Sequence, residues 1–216
     1  MDIVIFGTGE MAEVAWHYLT HEGGHRVVAF TVDRAYITQS ERFGIPVVPY
    51  EEARTYRHGS LRMYVAVSFK HVNADREAVC KRALADGYSL IGYLSPNVIE
   101  LPDDFTPAPN TLIMSANLIQ PFATIGWNTT IWNGNHIGHH TTIGDHCFIA
   151  SHAVISGHVS IGDNTFIGVN ATIRDNVTIG KRCVIGAGAL VLHDVPDDSV
   201  VLGPESPVVP RRSTVA

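Results

Sequence analysis

Every sixth residue from Ile119 to Ile185 is isoleucine, and this run constrains the fold more than any other feature of the 216-residue chain. Helices repeat near 3.6 residues and ordinary strands near 2, so a period of six belongs to neither alone. It fits a coil of short flat strands joined by corners, in which each hexad sends one bulky side chain inward. Four residues after each isoleucine stands a second, smaller inward residue, from Ala123 through Thr129, Asn135 and Cys147 to Ala189. One large and one small residue per face fill a narrow prism without strain. Glycine follows the isoleucine at Gly126, Gly138, Gly144, Gly162, Gly168, Gly180 and Gly186, where we expect it to serve the tight corner.

Residues 1–95 have a different grain. Asp2–Phe6 is an apolar strand, and Gly7-Thr8-Gly9-Glu10-Met11-Ala12 then opens a helix through about residue 22. Strands are expected over residues 26–33, 62–67 and 89–93, with a helical stretch over 72–86. Strands alternating with helices imply a small parallel βαβ sheet, an α/β module. Gly7, Gly9 and Ala12 make a GxGxxA turn, which lets backbone N–H groups meet a diphosphate at a helix N-terminus. The same spacing also suits a tight strand-to-helix turn without a ligand. Asp33, with Arg34 beside it, either binds a ribose or base edge or simply ends its strand. The module is too short for a two-half dinucleotide fold, so one nucleotide fits better than NAD. Pro96, Pro102, Pro107 and Pro109 mark residues 96–110 as a connector. The coil then takes residues 111–205, and 206–216 form a tail.

Hydrophobic residues make up 45% of the chain and charged ones 17%, an ordinary globular balance. A formal charge of −6 argues against a nucleic-acid partner, which needs clustered Lys and Arg. No window approaches the roughly 20 apolar residues that span a bilayer, so no membrane partner is expected. Met1–Gly7 lacks a basic n-region and reads as a strand, which makes the cytoplasm the expected location. Cys80, Cys147 and Cys183 have no metal spacing, and no metal cofactor is expected. Cys147 and Cys183 fall two eighteen-residue coils apart, roughly 10 Å, too far for a disulfide.

A short αβ module followed by hexapeptide repeats resembles the bacterial sugar O-acyltransferase family. That family includes sialic acid O-acetyltransferases and N-acetyltransferases of nucleotide-linked 4-amino-4,6-dideoxy sugars. The resemblance implies a left-handed parallel β-helix with three hexads per turn and a homotrimer with active sites between subunits. It implies acetyl-CoA as co-substrate, a nucleotide-activated amino sugar as acceptor, and a place in surface polysaccharide (lipopolysaccharide) synthesis. The family's catalytic base is a histidine two residues after a hexad isoleucine, which Ile137-Gly138-His139-His140 matches. His139 is thus the candidate base, with His140 standing where the family often has an acidic neighbour. An imidazole of pKa about 6.5 suits the task, since the attacking amine must shed a proton.

The same resemblance places the nucleotide sugar against Gly7, Thr8, Gly9, Glu10, Met11, Asp33 and Arg34, with Trp132 and Asn133 on the coil. By matching position it brings the acetyl-pantetheine arm to Gly157; Ala187, Gly188 and Arg211 are the further candidates for CoA, although Leu202-Gly203-Pro204-Glu205-Ser206-Pro207 departs from the family's usual C-terminal cap near CoA. Trp127 and Trp132 point outward in the repeat frame, toward either subunit packing or ligand. His140 and His158 differ by one coil and should stack on one face. Other histidines, His146, His152 and His193, read as corner or packing residues.

Two other classes compete. The γ-type carbonic anhydrases are also hexapeptide trimers, but they need two histidines 36 residues apart. Here the offsets from the helix histidines land on Thr172, Asp175, Asn176, Arg182, Gly188 and Asp194. A non-catalytic trimeric scaffold would bind nucleotide and transfer nothing.

Overall fold

The structure, a computed structural model, describes residues 1–56, 62–102 and 105–207. Its N-terminal part is a sheet of β1 (Asp2–Phe6), β2 (Arg26–Val32), β3 (Glu41–Arg42), β4 (Ile45–Pro49), β5 (Arg62–Val65) and β6 (Ser89–Leu90), ordered β3-β4-β2-β1-β5-β6. Among the described residues only β3 and β4 pair antiparallel. This hairpin was not anticipated from the sequence: β3 has two residues, and Pro46 and Pro49 weaken the strand pattern of β4.

Alternation along β1 and β5 splits the core. Ile3, Ile5 and Tyr64 face helix α1 (Glu10–His17), while Val4, Phe6, Met63 and Val65 face Cys80 and Ala83 of helix α2 (Ala74–Ala85). Helix α1 gives way at Tyr18–Glu22 to a wider π turn. Helix α2 starts later than expected because His71, Val72 and Asn73 all adopt positive φ, a left-handed turn that a right-handed helix cannot continue.

From Tyr93 onward the chain coils. Strands of two residues pair in parallel with those eighteen positions on, such as Thr124 with Thr142 and His136 with Val154. Three sheets result: sheet I runs through Thr124–Ile125, Thr142–Ile143, Ser160–Ile161 and Thr178–Ile179. Sheet II holds Tyr93–Leu94, Leu112–Ile113 and their successors to Val200–Val201, and sheet III runs from Leu118–Ile119 to Leu190–Val191. This is the coil of short strands expected from the isoleucine ladder, with the three hexads per turn and the left hand that the family resemblance implies. Ile113 and Val191 extend the ladder at its two ends. The small inward positions are buried too, and their polar members are satisfied: Thr129, Thr141 and Thr165 donate to backbone carbonyls of the next coil at 2.9–3.0 Å. Cys147 and Cys183 are free and buried, as core fillers.

The corner chemistry differs from expectation. The left-handed residue is three positions after the isoleucine, at Asn128, His140, His146, His152, His158, Asn164, Asn170 and Asn176, with φ between 55° and 60° or just above. Asn and His tolerate that region better than most side chains, which accounts for the abundance of histidine in the coil. The glycines after the isoleucines serve proximity instead: a Cβ on Gly138 would lie 2.5 Å from the Gly157 nitrogen, and one on Gly144 2.6 Å from an Asp163 oxygen.

The αβ module docks on the outer face of sheet II. Phe69 packs edge-on to Phe148 at 5.1 Å, and Leu112 and Met114 share a core with α1. Asn110 imitates a strand at this joint, accepting from the Val65 N–H at 2.7 Å and donating to its carbonyl at 3.1 Å. The Pro-rich segment runs along the coil's first turn, where Glu100 bridges Leu118 and Val98, Leu101 and Phe105 cover the core. No helix among the described residues is long and apolar enough to cross a membrane.

Candidate active site

The strand order reverses direction between β1 and β5, which makes the carboxyl ends of those strands the crevice of the sheet. The Gly7–Ala12 turn sits there. Gly7 has φ +124°, and a Cβ would meet the Ala66 carbonyl at 2.8 Å, so only glycine fits. Gly9 caps α1, leaving Thr8, Gly9, Glu10 and Met11 along the rim of the crevice. Arg42, which sequence reasoning did not single out, crosses the turn to the Thr8 carbonyl and the Glu13 carboxylate. It arrives on the unanticipated hairpin, so no local signal could have placed it there.

Asp33 and Arg34 are engaged within the chain. Asp33 pairs with Arg82 at 2.9 Å, whose guanidinium also lies 4.2 Å over the Tyr50 ring. Arg34 reaches Glu51 at 3.0 Å and Glu52 at 2.6 Å, on the outer rim. Trp132 and Trp127 turn inward to the module: Trp132 packs with the α1 core and Trp127 meets His146 edge-on at 4.4 Å. Asn133 donates to Ser115 Oγ at 2.8 Å and to the Tyr18 hydroxyl at 3.2 Å. Trp127 stands on the edge where sheet I turns into sheet II, whereas Trp132 and Asn133 mark the edge where sheet II turns into sheet III. Ala187 and Gly188 lie on that same edge, three coils on from Asn133 and Gly134. Arg211 is outside the described residues.

The candidate base stands elsewhere, on the edge between sheets III and I. His139 is exposed; its backbone N–H is held by Gln120 Oε1 at 2.9 Å and its Nδ1 lies 3.1 Å from His140 Nδ1. Which of the two nitrogens donates depends on the tautomers. The rings of His140 and His158 stack at 4.8 Å and 14°, as the eighteen-residue spacing implies, and Phe122 continues the stack at 4.7 Å from His140. Gly157 lies directly beneath the base: a Cβ there would come within 2.8 Å of His139 Cε1. A groove of about 810 Å³, lined by Leu101, Phe105, Pro121, Phe122 and Ile125 among others, opens at the N-terminal end of this edge.

One chain therefore brings His139, His140 and Gly157 together, and separately brings the Gly7 turn near the edge of Trp132, Asn133 and Ala187. It does not join the two groups. An imidazole with one free nitrogen on an open edge can accept a proton from a reacting amine or hydroxyl.

A family model described as bacterial transferase hexapeptide (six repeats) matches residues 122–157 and 158–193. No curated protein matches the chain. Among solved structures, PerB from Caulobacter crescentus, in complex with CoA and GDP-perosamine, is 27% identical with a TM-score of 0.82 and covers 94% of each chain. Two variants of the same organism's perosamine N-acetyltransferase, each with one histidine replaced, superpose equally well at 26% identity. The acetyltransferase domain of PglB from Neisseria gonorrhoeae, 22% identical over 96% of this chain and 99% of that one with a TM-score of 0.80, shares the fold. The matched repeats, the three-sheet coil and this nearly full-length likeness agree: the chain carries hexapeptide repeats over residues 122–193 and shares the fold of these acetyltransferases over nearly its whole length.

Proposed function

We propose that the protein is an acetyl-CoA-dependent N-acetyltransferase that acylates a nucleotide-linked 4-amino-4,6-dideoxy sugar. The observation that carries the reading is the nearly full-length likeness to an acetyltransferase seen with CoA and GDP-perosamine, in a chain that holds His139 bare on its coil edge.

In this reading the acceptor amine attacks the thioester carbonyl of acetyl-CoA. His139 takes the proton that the new N–C bond makes acidic, through Nε2, while its Nδ1 is engaged with His140. The C–S bond breaks, and His139 returns the proton to the departing thiolate, so the products are the acetamido sugar and CoA. A thioester leaves readily enough that no covalent enzyme intermediate is needed. His140 replaces an acidic neighbour as the group that orients His139: its neutral Nδ1 accepts from the His139 Nδ1–H, which leaves Nε2 of His139 free to take the proton. Gly157 keeps the surface beside the base flat enough for a narrow acyl arm.

The separation of the two residue groups supports a site built between copies of the chain. The αβ module covers sheet II, whereas His139 sits on the opposite edge of the prism. A homotrimer would set one chain's Gly7 crevice, Trp132, Asn133, Ala187 and Gly188 against the next chain's His139 and Gly157, with Arg211 available to a CoA phosphate. A nucleotide-activated substrate places the reaction in the cytoplasm, ahead of surface polysaccharide assembly.

The test is release of free thiol from acetyl-CoA across GDP-, UDP- and dTDP-linked amino sugars, with the product mass recorded. A gain of one acetyl group on nitrogen is expected. Acetylation of a sugar hydroxyl would move the reading to O-acyl transfer, and silence across the panel would leave only a scaffold.

A further inference from the structure

We propose that His139, His140 and His158 also form a transition-metal site, which takes Zn²⁺ and thereby switches off the transferase. The regulatory half of this proposal rests on His139 being the base; the metal site itself does not.

Each of the three histidines offers one ring nitrogen, and these nitrogens all lie within 4.8 Å of one another. Two of them are already closer: Nδ1 of His139 and Nδ1 of His140 stand 3.1 Å apart. Around a tetrahedral zinc with Zn–N bonds of about 2.0–2.1 Å, neighbouring nitrogens are separated by about 3.3 Å. The pair therefore has nearly the required spacing, and the third nitrogen, within 4.8 Å of the others, completes three corners of the tetrahedron by moving in by no more than about 1.5 Å.

Backbone order and side-chain freedom are combined here in the way such a site needs. His140 and His158 occupy equivalent left-handed corners of consecutive coils, with φ of 59° and 57°. The His158 N–H donates to the His139 carbonyl at 2.9 Å, so the three Cα positions are fixed by the coil ladder. The rings themselves are exposed, held by mutual stacking, by the His139–His140 contact and by Phe122 against His140 rather than by burial. Three imidazoles without a carboxylate select borderline metals such as Zn²⁺, Ni²⁺ and Cu²⁺ over Mg²⁺ and Ca²⁺. The fourth position stays open to water or a thiol, as at non-structural zinc sites.

Occupation would silence the base whichever nitrogen binds. A neutral imidazole has one lone-pair nitrogen, and a metal on either ring position leaves none to accept a proton. Spacings of 1 and 19 residues match no linear metal motif, and only the eighteen-residue coil makes them neighbours.

The experiment uses untagged, chelator-stripped full-length protein titrated with Co²⁺, followed by its visible absorption, and with Zn²⁺ by calorimetry. One ion per chain is expected. His158→Asn keeps a side chain suited to the left-handed corner, as at Asn164 and Asn176, but removes a ligand. Losing an outer partner of a metal ligand already weakens binding about 10–100-fold, so losing a ligand should weaken it at least about tenfold. His152→Asn, a corner outside the cluster, should change nothing. In activity assays Zn²⁺ should inhibit the unmodified protein, EDTA should restore it, and the activity that His158→Asn retains should resist Zn²⁺. Substoichiometric binding, or binding indifferent to His158→Asn, would overturn the site. Zinc binding that depends on His158 in a protein that transfers no acyl group would uphold the site and discard only the base assignment.

Discussion

Arg76 and Cys147 are 71 residues apart, yet Nη2 of Arg76 donates to the Cys147 carbonyl at 2.9 Å. The same guanidinium reaches the carbonyls of Asn128 and His146, both at 3.1 Å, and Asn128 Oδ1 through Nε. Arg76 is fully buried and forms no ion pair with any described carboxylate, so carbonyl dipoles of one corner column hold the charge. Burial lowers its pKa, which marks the desolvation that those dipoles offset. Replacing Arg76 by leucine relieves that desolvation but strands buried acceptors at about 1–3 kcal/mol each, and the second effect is the larger. We expect Arg76→Leu to lower Tm by roughly 5–10 °C, read by calorimetry, and to expose the joint between module and coil to protease.

His146 belongs to the same network, its Nδ1 accepting from Asn128 Nδ2 at 2.7 Å. Burial lowers its pKa below the ordinary value of 6.5, more than Glu77 and Asp145 raise it. The folded state therefore resists protonation that the unfolded chain accepts. Stability from this group is complete above about pH 6.5 and declines as pH falls toward the lowered folded value. His146→Asn retains a residue suited to the left-handed corner and removes the titration. Its denaturant midpoint should fall less steeply than the parent's between pH 7 and 5; parallel slopes would exclude His146 as the source.

The coil was legible because its rule is local and repeated: one inward isoleucine per hexad gives the repeat, and the three hexads per turn implied by the family resemblance give the register and eighteen-residue neighbours such as His140 and His158. The αβ module was legible in its longer strands, in both helices and at the Gly7 turn, but not in the β3–β4 hairpin. What escaped depends on long-range contact. Arg76 and Arg42 look like ordinary helix and loop cations until the fold brings carbonyls to them. The corner role of glycine was misassigned because sequence reports which residue recurs, not whether its missing Cβ relieves φ or a neighbouring coil. Likewise the outward tryptophans of the repeat frame became inward ones once the module lay on sheet II.

Gly138 and Gly157 separate those two uses of glycine. A Cβ on Gly138 meets backbone, the Gly157 nitrogen at 2.5 Å, and the coil ladder cannot yield. A Cβ on Gly157 meets only the movable ring of His139 at 2.8 Å. Gly138→Ala should cost about 1–3 kcal/mol of stability as an overpacked site. Gly157→Ala should leave Tm near the parent value while displacing the base and reducing kcat.

Val154 and Leu190 present apolar side chains on the open face of sheet III, with Leu190 61% exposed. An apolar strip on a charged chain suits contact with another copy. Leu190→Asp should leave the coil folded, shift the protein to monomer in light scattering, and abolish acyl transfer if the site lies between chains. A fully active monomer would confine the site to one chain.

His139 and His140 should differ sharply in what their loss does. His139→Ala removes the proton acceptor itself, and general-base losses run about 10²–10⁴-fold in kcat. Its side chain is exposed, so folding and CoA affinity should be unchanged. His140→Asn keeps a residue tolerant of the left-handed corner and an oxygen able to accept from Nδ1 of His139, so a milder loss is expected, mainly in kcat with little change in KM. His140→Ala removes both the orienting partner and the stacking surface under Phe122, and should fall between the two. The order His139→Ala below His140→Ala below His140→Asn, measured as kcat at saturating acceptor, identifies His139 as the base and His140 as the residue that orients it. The reverse order would exchange their roles.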